Sequence, residues 1–99
     1  MMKYFFFTLH RTPKRETVTD DFALSILKKH TAYFKQLGAE GKCLVAGPFA
    51  DQSGELGAGC YIFAAETEQE ALNMANNDPL VSEGLYNFKM YEWIKVVPE

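Results

Sequence analysis

Cysteine is scarce: Cys43 and Cys60 are the only two among 99 residues. Two thiols make neither a disulfide framework nor a zinc-ligand set. They flank an expected hairpin, so one cross-strand disulfide or two buried free thiols both fit. The free thiols of a reducing cytoplasm are the expected state. Positive charge is also in short supply: ten Lys and Arg against thirteen Asp and Glu leave a net charge of −3. The basic residues from His10 to Arg15 form only a short cluster. With no basic stripe to track phosphates, a nucleic-acid partner is not expected. No apolar run approaches the roughly 20 residues needed to span a bilayer, so no membrane partner is expected either. The apolar start, Met1–Leu9, contains one Lys, alternates like a strand and offers no small-residue cleavage site. It reads as a core strand and not as a signal peptide, and the protein as cytoplasmic. Repeats, linkers and low-complexity segments are absent, and 1–99 reads as one domain.

What the chain has in excess is apolar and aromatic side chains, 47% and 14% of its residues. A domain this small cannot enclose them all in one core, which predicts a second buried surface. Lys3–His10 reads as a strand, with Phe5, Phe7 and Leu9 on one face and Tyr4, Phe6 and Thr8 on the other. Arg11–Asp20 reads as a loop whose Thr17, Thr19 and Asp20 are competent helix caps, Thr17 with Asp20 resembling a capping box. A helix follows to about Ala39, stopped by Gly38 and Gly41. Cys43–Ala46 and Cys60–Ala65 read as strands, separated by Gly47-Pro48 and a Gly-rich turn region from Asp51 to Gly59. Thr67-Glu68-Gln69-Glu70 is a capping box that starts a second helix, and Asn76-Asn77-Asp78-Pro79 ends it. Leu80–Gly84 reads as irregular or 3₁₀, and Tyr86–Val97 as a long last strand. The order βαββαβ predicts an α+β, ferredoxin-like domain: a four-stranded antiparallel sheet with two helices on one face. Nothing remains to cover the other face, which predicts a homodimer packed through that sheet face.

One residue stands out in the first helix. His30 falls inside the apolar stripe, four residues after Ile26 and four before Phe34. A titratable ring facing a core needs a polar partner or a cleft. Asp78, just before Pro79, is the candidate partner, giving a His–carboxylate pair at the mouth of a pocket. The plainer readings are a core histidine bonded to a carbonyl and an aspartate capping a turn. As an acid/base pair, His30 takes the proton while Asp78 orients it. Tyr33 shares the His30 side of the helix. Gly47, Pro48 and Phe49 are placed at the cleft, Gly47 for close backbone approach and Phe49 as wall, and Pro79 is placed beside Asp78. The Gly-rich segment lacks phosphate-cradling spacing and reads either as a plain turn or as a flap over the cleft. His10 and His30 form no metal-binding set, and none of Ser25, Ser53 and Ser82 sits in a nucleophile elbow, so metal and serine-hydrolase chemistry are not expected.

The ordered set His30, Leu37-Gly38, Gly41-Lys42-Cys43-Leu44-Val45-Ala46-Gly47-Pro48-Phe49, Gly54, Gly57, Ala71, Asn77-Asp78-Pro79, Gly84, Val96 and Pro98 resembles the YCII-related (YciI-like) family over nearly the whole chain. The resemblance implies a dimeric α/β-barrel of two ferredoxin-like protomers and an active-site cleft around His30 and Asp78. In that family many members carry an Arg-Pro pair shortly before the His, where this chain has Leu27-Lys28-Lys29. An anion-binding Arg is then missing unless Arg11, Arg15 or Lys28 replaces it. The expected function is that of a small cofactor-free enzyme doing acid–base chemistry (elimination, isomerisation or hydrolysis) on a small aromatic or lactone-like molecule. The alternative is a non-catalytic small-molecule-binding or regulatory homodimer.

Overall fold

The computed structural model describes residues 1–99. Its elements are β1 (Lys3–Arg11), a 3₁₀ turn (Pro13–Thr17), α1 (Asp20–Ala39), β2 (Cys43–Pro48), β3 (Gly59–Ala65), α2 (Glu68–Asn76), α3 (Pro79–Ser82) and β4 (Tyr86–Trp93). The strands form one antiparallel sheet in the order β2-β3-β1-β4. This is the ferredoxin-like α+β fold, with the helices on one face.

Period-two alternation sorts the side chains. Phe5, Phe7 and Leu9 of β1 lie opposite Phe63, Tyr61 and Gly59 of β3, and all six are buried beneath the helices. α1 contributes Ile26, Phe34 and Leu37 to this core, α2 contributes Ala71 and Ala75, and α3 contributes Leu80. Small residues on α2 let its backbone approach the sheet closely. The Phe7 ring stacks on Tyr61 at 4.8 Å and meets Phe88 edge-on at 5.4 Å.

The local signals explain most boundaries. Thr19 caps α1 by accepting from Phe22 N, and Thr67 caps α2 by accepting from Glu70 N. The cap of α1 is therefore Thr19; Thr17 instead donates to the Lys14 carbonyl within the 3₁₀ turn. The α1 stripe is narrower than its apolar residues imply, since Phe22 and Leu27 are exposed. Leu80–Gly84, expected to be irregular or 3₁₀, begins as the one-turn helix α3, because Asp78 caps it and Pro79 opens it. β4 stops at Trp93 and not Val97. β1 ends its pairing with β4 at Tyr4–Trp93, so Ile94 and Val96 have no strand to pair with and are exposed. The loop 49–58 is tied down at its base: Phe49 N donates to Ala58 O, and Ala58 N to Leu9 O at 2.7 Å.

The opposite sheet face is uncovered. Val45 opposes Ile62, Ile62 opposes Phe6 and Phe6 opposes Tyr91, so one apolar row crosses all four strands. Tyr4 and Trp93 form a second cross-strand pair beside it. Val45 and Tyr91 are 59% and 54% exposed.

Phe7 is fully buried at the centre of the aromatic cluster. Truncation to Ala leaves a cavity that the flanking rings cannot fill. Phe7→Ala is expected to lower unfolding stability by about 3–5 kcal/mol, read as a fall in the denaturant midpoint. Thr17→Ala, which removes one exposed turn contact, is expected to stay within about 0.5 kcal/mol.

Candidate active site

α1 carries His30 across the sheet to the junction between α2 and α3, where Asp78 is held. His30 Nδ1 and Asp78 Oδ1 are 2.7 Å apart. Beside a carboxylate oxygen, Nδ1 carries the proton and donates it, which leaves Nε2 to give or take a proton. The Asp78 side chain has no exposed surface, whereas that of His30 is 19% exposed. Oδ1 also accepts from Leu80 N at 3.0 Å, so one oxygen both caps α3 and orients the imidazole. Phe34, one turn along α1, packs its ring on His30 at 4.6 Å.

His30 lines a cavity of about 620 Å³ between α1 and the β2–β3 edge of the sheet. That is a volume suited to a small organic molecule. Most of the wall is apolar, including Leu27, Phe34, Val45 and Leu80. Arg11 and Lys35 are the Lys and Arg side chains of the wall, and no Asp or Glu lines it. Burial pushes the Cys43 thiol, also in the wall, up to about 11. Tyr61 forms part of the wall as well, and burial followed by the Asp78 charge pushes its phenol up. No three His, Cys, Asp or Glu side chains gather as a metal-ligand set.

The expected site residues divide. His30 and Asp78 are in contact, and Gly47 and Pro48 line the cavity. Phe49 stands outside the wall, which takes in Cys43 to Pro48 of β2 and stops there. Tyr33 also lies off the cavity, donating through Oη to the Met74 carbonyl at 2.8 Å. Its phenol is pushed up by burial, then by the charges of Asp78 and Glu40. Pro79 is absent from the wall and occupies the first turn of α3. Of the three cations considered as replacements for the missing Arg, only Arg11 reaches the cavity, and Lys35 joins it. Phe34, Tyr61 and Lys35 were missed as cavity residues, although the alternation Gly59, Tyr61, Phe63 already put Tyr61 on the helix side. Gln52 in the wall, donating to the Phe49 and Ala58 carbonyls, braces the loop 49–58. Cys43 and Cys60 are unpaired.

The sequence model of the YCII-related domain matches residues 2–94. The chain belongs to the YCII-related family. The uncharacterized protein YjpA of Bacillus subtilis (strain 168) is 31% identical over 75 residues, 76% of this chain and 84% of YjpA. Among solved structures, a similar fold occurs in 5-chloro-2-hydroxyhydroquinone dehydrochlorinase (TftG) from Burkholderia phenoliruptrix AC1100, in complex with 2,5-dihydroxybenzoquinone. The TM-score is 0.61 at 23% identity, covering 95% of this chain and 94% of that one. That likeness establishes the ferredoxin-like architecture for this YCII-related chain.

Asp78 serves two partners, and the two can be separated. Asp78→Ala leaves the buried Leu80 N–H and the imidazole without an acceptor, so a stability loss of about 2–4 kcal/mol is expected. Asp78→Asn keeps a cap acceptor and should lose about half as much. Chemical denaturation of the three proteins measures the difference.

Proposed function

We propose that this YCII-related protein is a small enzyme that works without a cofactor, moving protons on a small ring molecule bound in the His30 cavity. The observation that carries this reading is the 2.7 Å contact between His30 and a fully buried Asp78, at the wall of a largely apolar cavity. His30 is the general acid/base, with Nε2 as the working nitrogen. Asp78 is the positioning residue: it fixes the tautomer and stabilises the imidazolium once the proton is taken. Gly47 and Pro48 form part of the wall, and the rings of Phe34 and Tyr61 offer faces to a flat substrate. A protein of the same fold is a dehydrochlorinase that holds a dihydroxybenzoquinone. A small cyclic substrate and an elimination, isomerisation or hydrolysis step fit that precedent. The two free thiols fit a cytoplasmic protein.

The test is an NMR titration of the His30 ring in wild type and Asp78→Asn. Losing the carboxylate withdraws support from the imidazolium. The midpoint is therefore expected to fall by about one pH unit or more. An unchanged midpoint would show that the pair does not operate and would remove the acid–base reading.

We also propose that the functional unit is a homodimer joined through the open sheet face, which closes two sheets into an α/β-barrel. The support is the apolar row Val45, Ile62, Phe6, Tyr91 with the neighbouring Tyr4–Trp93 pair, which no part of the chain covers. Sedimentation equilibrium is expected to give twice the 11.2 kDa chain mass. Tyr91→Glu, which sets a charge in the row, is expected to shift the protein to monomer. A wild-type monomer at high micromolar concentration would rule the dimer out.

A further inference from the structure

Two buried side-chain oxygens have no hydrogen-bond partner, and the chain has no others: Tyr61 Oη and Asp78 Oδ2. Buried polar groups are nearly always paired, so each needs an explanation. The two are complementary, one a donor and the other a carboxylate acceptor, and they belong to the same site. Phe34 lies between the rings of His30 and Tyr61, at 4.6 Å from one and 4.8 Å from the other. Asp78 thus bonds the imidazole through one oxygen and has its second oxygen left over, while the phenol at the cavity wall has a proton to give. Tyr33 is the other phenol near Asp78, but its proton is already placed on the Met74 carbonyl.

We infer that Tyr61 is a positioning residue whose Oη–H donates toward Asp78 Oδ2, by a small shift of the phenol or through one internal water, completing a Tyr61–Asp78–His30 chain. This rests on the reading of His30 and Asp78 as the acid–base pair. Burial and the Asp78 charge keep the Tyr61 phenol neutral, so it remains a donor. A donor on Oδ2 shares the carboxylate charge and weakens its hold on the imidazolium. Tyr61 therefore sets how readily His30 releases a proton, without touching the imidazole.

The other titratable groups of the cavity are Arg11 from β1, Lys35 from α1, Cys43 from β2, Cys60 from β3 and Tyr86 from β4. Cys43, held at about 11, stays protonated through the range in which histidine titrates. All of them remain in place when one oxygen is removed in Tyr61→Phe, so a change in His30 reports that oxygen.

The experiment compares the His30 titration by NMR in wild type, Tyr61→Phe, Tyr33→Phe and Asp78→Asn, with His10, the second of two histidines, as internal reference. Tyr61→Phe removes one oxygen and keeps the ring that stacks on Phe7, so a folded protein is expected and is checked by its amide spectrum. The His30 midpoint should rise by about one pH unit in Tyr61→Phe, and stay in place in Tyr33→Phe and at His10. An unchanged or lowered midpoint in Tyr61→Phe, or an equal rise in Tyr33→Phe, overturns the inference. If Asp78→Asn lowers the midpoint while Tyr61→Phe is silent, only the role of Tyr61 falls. If Asp78→Asn is silent too, the acid–base pair itself falls.

Discussion

A carboxylate with no exposed surface must be held by the protein, because water no longer solvates it. Asp78 meets that demand with the Leu80 N–H and the His30 imidazole, both on Oδ1. Each partner comes from a different part of the helical layer, α3 and α1. The same oxygen therefore fixes where α1 lies relative to the α2–α3 junction and which ring nitrogen of His30 faces the cavity. Removing one partner from such a group is far more costly than its net contribution suggests, since the other is left alone out of water. The orientation of the histidine is in this way tied to the packing of the helices.

The cavity exists because bulky side chains are missing from one end of the sheet. Gly38, Ala46, Gly47, Ala58 and Gly59 all contribute to its wall. At Gly59 a Cβ would stand 2.7 Å from the Gly47 carbonyl oxygen, so β2 and β3 close on each other here only because Gly59 carries none. The other end of the helix face is filled by Phe5, Phe7 and Phe63. One sheet thus has a packed half that supplies stability and a hollow half that holds the cavity.

Much of this was legible in order and period. The alternation of Phe5, Phe7 and Leu9 against Tyr4 and Phe6 placed both faces of β1, and the βαββαβ order placed the sheet. The position of His30 four residues from both Ile26 and Phe34 placed it on the packed side of α1, and Asp78 was legible as a candidate partner from its place just before Pro79, where the second helix ends. What escaped were directions set by neighbours and not by spacing. Tyr33 sits one turn-step from His30, yet its hydroxyl goes to α2, because the Met74 carbonyl offers an acceptor there. Phe49 follows an unbroken run of wall residues, Cys43 to Pro48, and nothing in the spacing marks where the wall stops. Tyr61 reads as one more aromatic in a strand, and only the accounting of buried oxygens sets it apart.

The loop 49–58 is fastened at its base to the end of β1 and to itself by backbone bonds, Ala58 N to Leu9 O and Phe49 N to Ala58 O. Those bonds use main-chain atoms, which any residue supplies. Only Gln52 and Ala58 of this loop face the cavity, while Ser53 to Leu56 form its exposed tip. Changes of length or composition at the tip leave the anchors and the buried carboxylate alone, since loop insertions have a small entropic cost. The loop tip and the His30–Asp78 contact thus lie on separately variable stretches of the same short chain.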